Sequence, residues 1–190
     1  MTQHIAILGW GSLLWDRRPE FDDQHDLWTY DGPDLRIEFS RVSQSRRGAL
    51  TLVIDPTNGA SCRVAYTRSR RRDPEDAICD LRSREGTTRR NIGFYFKDNE
   101  SRSQSNDPET LDTIKIWAIE KTIDVVVWTD LRSNFKDKCG NLFSVADAIT
   151  HLHTLDAKAK SLAAEYVGRA PDFVKTPVRI ALQSEPWFTQ

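Results

Sequence analysis

A chain of 190 residues suits one domain, and its 38 % hydrophobic residues, with six Trp and eight Phe, supply a core without a metal or disulfide staple. A formal net charge of −1 argues against a general nucleic-acid binder, which would be markedly basic. Cys62, Cys79 and Cys139 are odd in number and share no CxxC spacing, so they read as unpaired thiols of a reducing compartment. No apolar run approaches the ~20 residues of a membrane helix. The opening Met-Thr-Gln-His carries no basic segment or cleavage site, so the expected location is cytoplasmic, without membrane or nucleic-acid partners.

In chain order, Ile5 to Leu8 form a continuous apolar run that predicts a central strand, ended by Gly9-Trp10-Gly11-Ser12-Leu13-Leu14. "LRIEFSRVS" (35–43) alternates, which predicts a strand with one face toward the core. "ALTLVID" (49–55) follows as a β-branched strand closed by the turn "PTNGA", and "CRVAYTR" reads as the third member of a meander. The period then changes. Asp73-Pro74-Glu75-Asp76 is a helix start with Ala77, Ile78 and Leu81 as its stripe and Gly86 as its stop. "NIGFYFKD" predicts a strand, 99–110 a polar and mobile loop, and "TIKIWAIEK" and "DVVVWTDL" two more strands. Residues from about 144 to 167 read as one long helix with Ser144 and Asp147 as a capping pair, and "PVRIAL" as a last short element. The expected class is α+β, with about six or seven strands and two main helices.

Gly9-x-Gly11 fits only the start of a G-x-G-x-x-G fingerprint, because Leu14 stands at the third glycine position, and no Walker loop is present. His151 and His153 are two apart, unlike the i, i+4 spacing of helical zinc ligands, so no metal and no cofactor is expected. The basic run Arg68 to Arg72 is followed at once by Asp73, Glu75 and Asp76 and reads as a solvated loop. Glu85, in "DLRSREGTTRR", sits where a helix end places a carboxylate at the unfavourable pole of the helix dipole, among Arg82, Arg84, Arg89 and Arg90. Two readings stand: an exposed Glu paired with an arginine, or a carboxylate held for proton transfer.

Taken together, the strand with "GWGSLL", then "RRGALTLVID", then "VAYTR" with a helix and the "CDLRSRE" run, resembles the γ-glutamylcyclotransferase-like superfamily over roughly residues 5 to 97. The resemblance implies a small mixed β-barrel flanked by helices. The expected organisation is one domain of this kind over 1–190, with the C-terminal helical stretch as an extension at about 144–190. The resemblance also implies that Gly9, Trp10, Gly11, Ser12 and Leu13 cradle a γ-glutamyl group through backbone amides, and that Glu85 is the general acid/base. Trp10 stands where many members carry Tyr. Arg46 and Arg47, beside a core strand, are further candidates to pair with a substrate carboxylate. The implied reaction cyclises a γ-glutamyl amide or peptide to 5-oxoproline and releases an amine or amino acid. The alternative is a catalytically silent member of the same fold that binds a small ligand or a protein.

Overall fold

The computed structural model describes residues 3–188. Its contacts divide the chain into two compact units, Met1–Leu35 with Arg63–Leu131, and Arg36–Cys62 with Arg132–Gln190. The stretch 144–190, set apart above as a helical extension, falls in the second unit.

The first unit is organised on a four-stranded sheet in the order β5-β1-β7-β6. Strand β1 (Ile5–Gly9) is internal and all five of its residues are buried, as its continuous apolar run requires. It pairs antiparallel with β5 (Ala65–Arg68) and parallel with β7 (Val125–Thr129), and β6 (Ile92–Phe96) pairs antiparallel with β7. On one face Ile5, Ile7, Val125, Val127, Phe94 and Phe96 form a single core with Ala77, Ile78 and Leu81 of the helix Pro74–Glu85. A short helix α1 (Pro19–Asp22) packs beside it and adds Phe21 to that core; the longer helix is α2.

Two expectations fail in this unit. "TIKIWAIEK" is helical, within α3 (Pro108–Glu120). Ile114, Ile116 and Ala118 alternate, yet Asp107 caps a helix whose first residue is Pro108, and Ile114, Trp117 and Ala118 form the buried i, i+3, i+4 set. Residues 99–110 are not a free loop either. A 3₁₀ turn at Glu100–Arg102 is followed by Gln104, which exchanges two backbone hydrogen bonds with Phe94 (2.9 and 2.8 Å).

The second unit carries a three-stranded sheet, β3-β2-β4, of β2 (Asp34–Val42), β3 (Leu50–Ile54) and β4 (Ala60–Arg63). The expected meander is therefore altered, because β4 lies against β2 and not β3. "CRVAYTR" is also split at Val64, with β4 in one sheet and β5 in the other. From Ile37 to Ser40 both faces of β2 are buried, so the alternation did not mark a solvent face there. Glu38 is covered because Val178 donates its amide to the carboxylate, and a register shift between Glu38 and Arg41 marks an irregular pairing. The remaining helices are α4 (Phe135–Cys139), α5 (Val145–Thr154), α6 (Ala157–Gly168) and α7 (Pro177–Leu182). The long helix expected from 144 is thus two: Leu155 is extended (ψ 148°) and Asp156 caps α6 through the amide of Ala159 at 2.8 Å.

The class is α+β, with seven strands and seven α-helices, instead of two main ones, among the described residues. Among those residues the pairing leaves β5 and β6 as edges of one sheet and β3 and β4 as edges of the other, and no closed barrel forms.

Candidate active site

The loop after β1 is built from the strand outward. Gly9 ends the ladder opposite Ala65, Trp10 is 5 % exposed, and Ser12–Leu14 make one 3₁₀ turn. Within the turn, Leu14 N donates to Gly11 O (3.0 Å), and Trp15 N and Asp16 N donate to Ser12 O (3.3 and 2.8 Å). The amides that open such a turn have no intrahelical acceptor. Here no side chain caps it, and among the described residues no group accepts from the amides of Trp10, Gly11, Ser12 or Leu13. Gly9 is small for a packing reason: a Cβ there would lie 2.7 Å from the Trp28 ring.

Glu85 reaches this loop through its neighbour. Asp73 caps α2 by accepting from Glu75 N (2.9 Å), and Gly86, at φ 58°, ends it in the left-handed region that glycine tolerates. The buried stripe of α2 runs Pro74, Ala77, Ile78, Leu81 and then Arg84. The Arg84 side chain, 4 % exposed, donates from Nη2 to Ser12 O (3.2 Å) and Asp16 O (3.0 Å). Its Nη1 lies 3.7 Å from Glu85 Oε1, and the Glu85 side chain is 19 % exposed. One guanidinium thus ties the helix end to the turn and compensates a carboxylate at the negative pole of the helix. Arg84 is the residue that sequence reasoning left among the surrounding arginines. Its spacing, three past Leu81, was the available signal.

Arg46 and Arg47 belong to the second unit and have partners there. The Arg46 guanidinium lies 4.6 Å over the Tyr166 ring, and Arg47 pairs with Asp156 at 2.9 Å. Two arginines of the basic run are ion-paired: Arg70 binds Asp26 (2.9 Å), and Arg71 takes Asp80 in a fork (2.7 and 3.0 Å). Cys62 is buried and Cys79 exposed. Cys139 lies 3.5 Å from His151 Nδ1, and burial, its largest cause, with Asp147 raises that thiol above its ordinary value. Among the described residues no three His, Cys, Asp or Glu side chains converge as a metal-ligating group, and no helix is long and apolar enough to cross a membrane.

Comparison of the chain with protein-family models, with curated proteins and with solved structures found no match.

Proposed function

We propose that the protein is a γ-glutamyl cyclotransferase-like enzyme that closes a γ-glutamyl amide or peptide to 5-oxoproline and frees an amine or amino acid. The observation that carries this reading is the Arg84 tether. It holds Glu85 at the end of α2 beside a turn whose amides have no acceptor among the described residues. An amide cradle next to a carboxylate is what the reaction needs.

A γ-glutamyl group contains its own nucleophile, the α-amine, placed to close a five-membered ring on the γ-carbonyl. Holding the reactive conformer contributes up to ~7–11 kcal/mol in the best oriented intramolecular cases. Glu85 would take a proton from the ammonium as nitrogen attacks the carbonyl carbon. It would then return the proton to the departing nitrogen as the amide C–N bond breaks, one carboxylate serving both transfers for about 10²–10⁴-fold. The tetrahedral oxyanion between these steps would be met by the amides of residues 10 to 13, each such donor contributing ~10²–10³-fold.

The test is a panel of γ-glutamyl dipeptides, glutathione and γ-glutamylamines, with 5-oxoproline read by mass spectrometry. Turnover that falls by about 10²-fold or more in a folded Glu85→Gln variant supports the enzyme. Turnover unchanged in Glu85→Gln overturns the assignment, and silence across the panel points to the ligand-binding alternative.

A further inference from the structure

The first unit holds a cavity of about 250 Å³ on the side of the turn where Leu13 and Leu14 form an apolar wall with Trp28. Glu85 does not line it. The buried polar group of its lining is His25, 6 % exposed, whose Nε2 has no hydrogen-bond partner among the described residues. His25 Nδ1 lies 2.6 Å from Asp26 O, a carbonyl that can only accept, so Nδ1 carries a proton, and with a single proton on the ring Nε2 presents a bare lone pair. Facing it at 3.4 Å is Asp22 Oδ1, another acceptor. The other carboxylate oxygen is occupied, taking Arg18 N at 2.5 Å and lying 3.4 Å from Arg17 Nε. A buried ring nitrogen 3.4 Å from the oxygen of a partly buried carboxylate, with no proton between them, is unfavourable until a donor joins them.

From this juxtaposition we infer that the cavity is a binding site for a small primary ammonium ion with a short apolar body. An ammonium carries three donors and a positive charge, so it satisfies His25 Nε2 and Asp22 Oδ1 together, while its carbon chain lies on Leu13, Leu14 and the indole of Trp28. An anion is disfavoured because the two rim arginines are committed. Arg17 points outward with 84 % of its side chain exposed, and Arg70 pairs with Asp26 at 2.9 Å and reaches Asp23 O at 3.3 Å. The volume lies below the ~300–1,000 Å³ of drug-sized sites, which restricts the ligand to a small molecule. This inference goes beyond the proposed reaction and does not depend on turnover.

The experiment uses the full chain at about pH 8, where a histidine of ordinary pKa is neutral. n-Butylammonium is titrated by calorimetry with n-butanol as control, and the His25 ring nitrogens are followed by ¹⁵N NMR. The expected result is a bare Nε2 in the free protein, saturable binding of the amine that perturbs this nitrogen, and no binding of the alcohol. Asp22→Asn and His25→Gln should each weaken the amine by roughly ten- to hundredfold. If His25→Gln does not fold, Asp22→Asn and the nitrogen shift still decide. The inference is overturned by an imidazolium already present in the free protein and paired with Asp22. It is equally overturned by the absence of saturable amine binding, by equal binding of the alcohol, or by affinity unchanged in a folded variant.

Discussion

At the scale of single residues, Arg84 is a buried cation on the apolar stripe of α2. Its geometry is distributed over two carbonyls and two carboxylates, while its Nε has no hydrogen-bond partner among the described residues. Replacing it leaves Ser12 O and Asp16 O without that donor and removes the cation beside Glu85. Arg84→Met should therefore destabilise the protein by about 2–4 kcal/mol in denaturant unfolding, and a loss below ~0.5 kcal/mol would show that the tether is not structural. Gly9 is the second informative residue. Gly9→Ala places a methyl group 2.7 Å from the Trp28 ring, an overpacking that should cost about 1–3 kcal/mol by thermal melting. The cost should shrink when combined with Trp28→Leu, since the clash is with that ring; additive effects would sink this account. The glycine flanking the turn was legible as a site of close approach. That the approach at Gly9 is made by Trp28, nineteen positions along by numbering, was not.

At the scale of elements, caps were more dependable than apolar spacing. Asp73-Pro74 and Ser144 open helices where expected, whereas "TIKIWAIEK" followed a strand-like alternation into a helix. The decision lies at its start, where Asp107 accepts from both the amide and the hydroxyl of Thr110 (2.8 and 2.7 Å). Asp107→Ala should lower stability by about 1 kcal/mol, read from a denaturant midpoint, and Asp107→Asn should recover most of it. An Asn variant no better than Ala would show that the cap is not the cause. The split between α5 and α6 has the same origin, since Asp156 is a capping residue inside a run of good helical spacing. Periodicity reports which residues can share a face; it does not report where the backbone turns.

At the scale of the whole molecule, the fully buried Glu38 couples stability to pH. Its Oε1 accepts from Phe39 N (2.7 Å) and Oε2 from Val178 N (3.3 Å). Burial is the largest influence and raises its pKa above the ordinary 4.5; Asp55 pushes the same way, while the hydrogen bonds from Thr176, Phe39 and Val178 oppose it. Because the folded value is the raised one, the stabilisation is fully present below the ordinary value and is lost as pH rises through the folded value. Glu38→Gln keeps an acceptor and cannot ionise. Its melting temperature relative to the wild type should rise between acidic and mildly alkaline buffer, and a difference that stays flat across that range would exclude Glu38 as the coupled group.

Taken by itself, the sequence determined the α+β class, the buried central strand β1, and the capped helix α2 with Glu85 at its end. Each depends on signals contained within a few neighbouring residues: an apolar run, a cap or a glycine stop. Only the tertiary structure decided that "CRVAYTR" serves two sheets, that Arg84 meets a carbonyl 72 positions away, and that a buried histidine lines a cavity. Those features arise from packing between distant segments. A buried polar group is placed by whatever backbone or charge folds against it, and that partner is not written beside it in the chain.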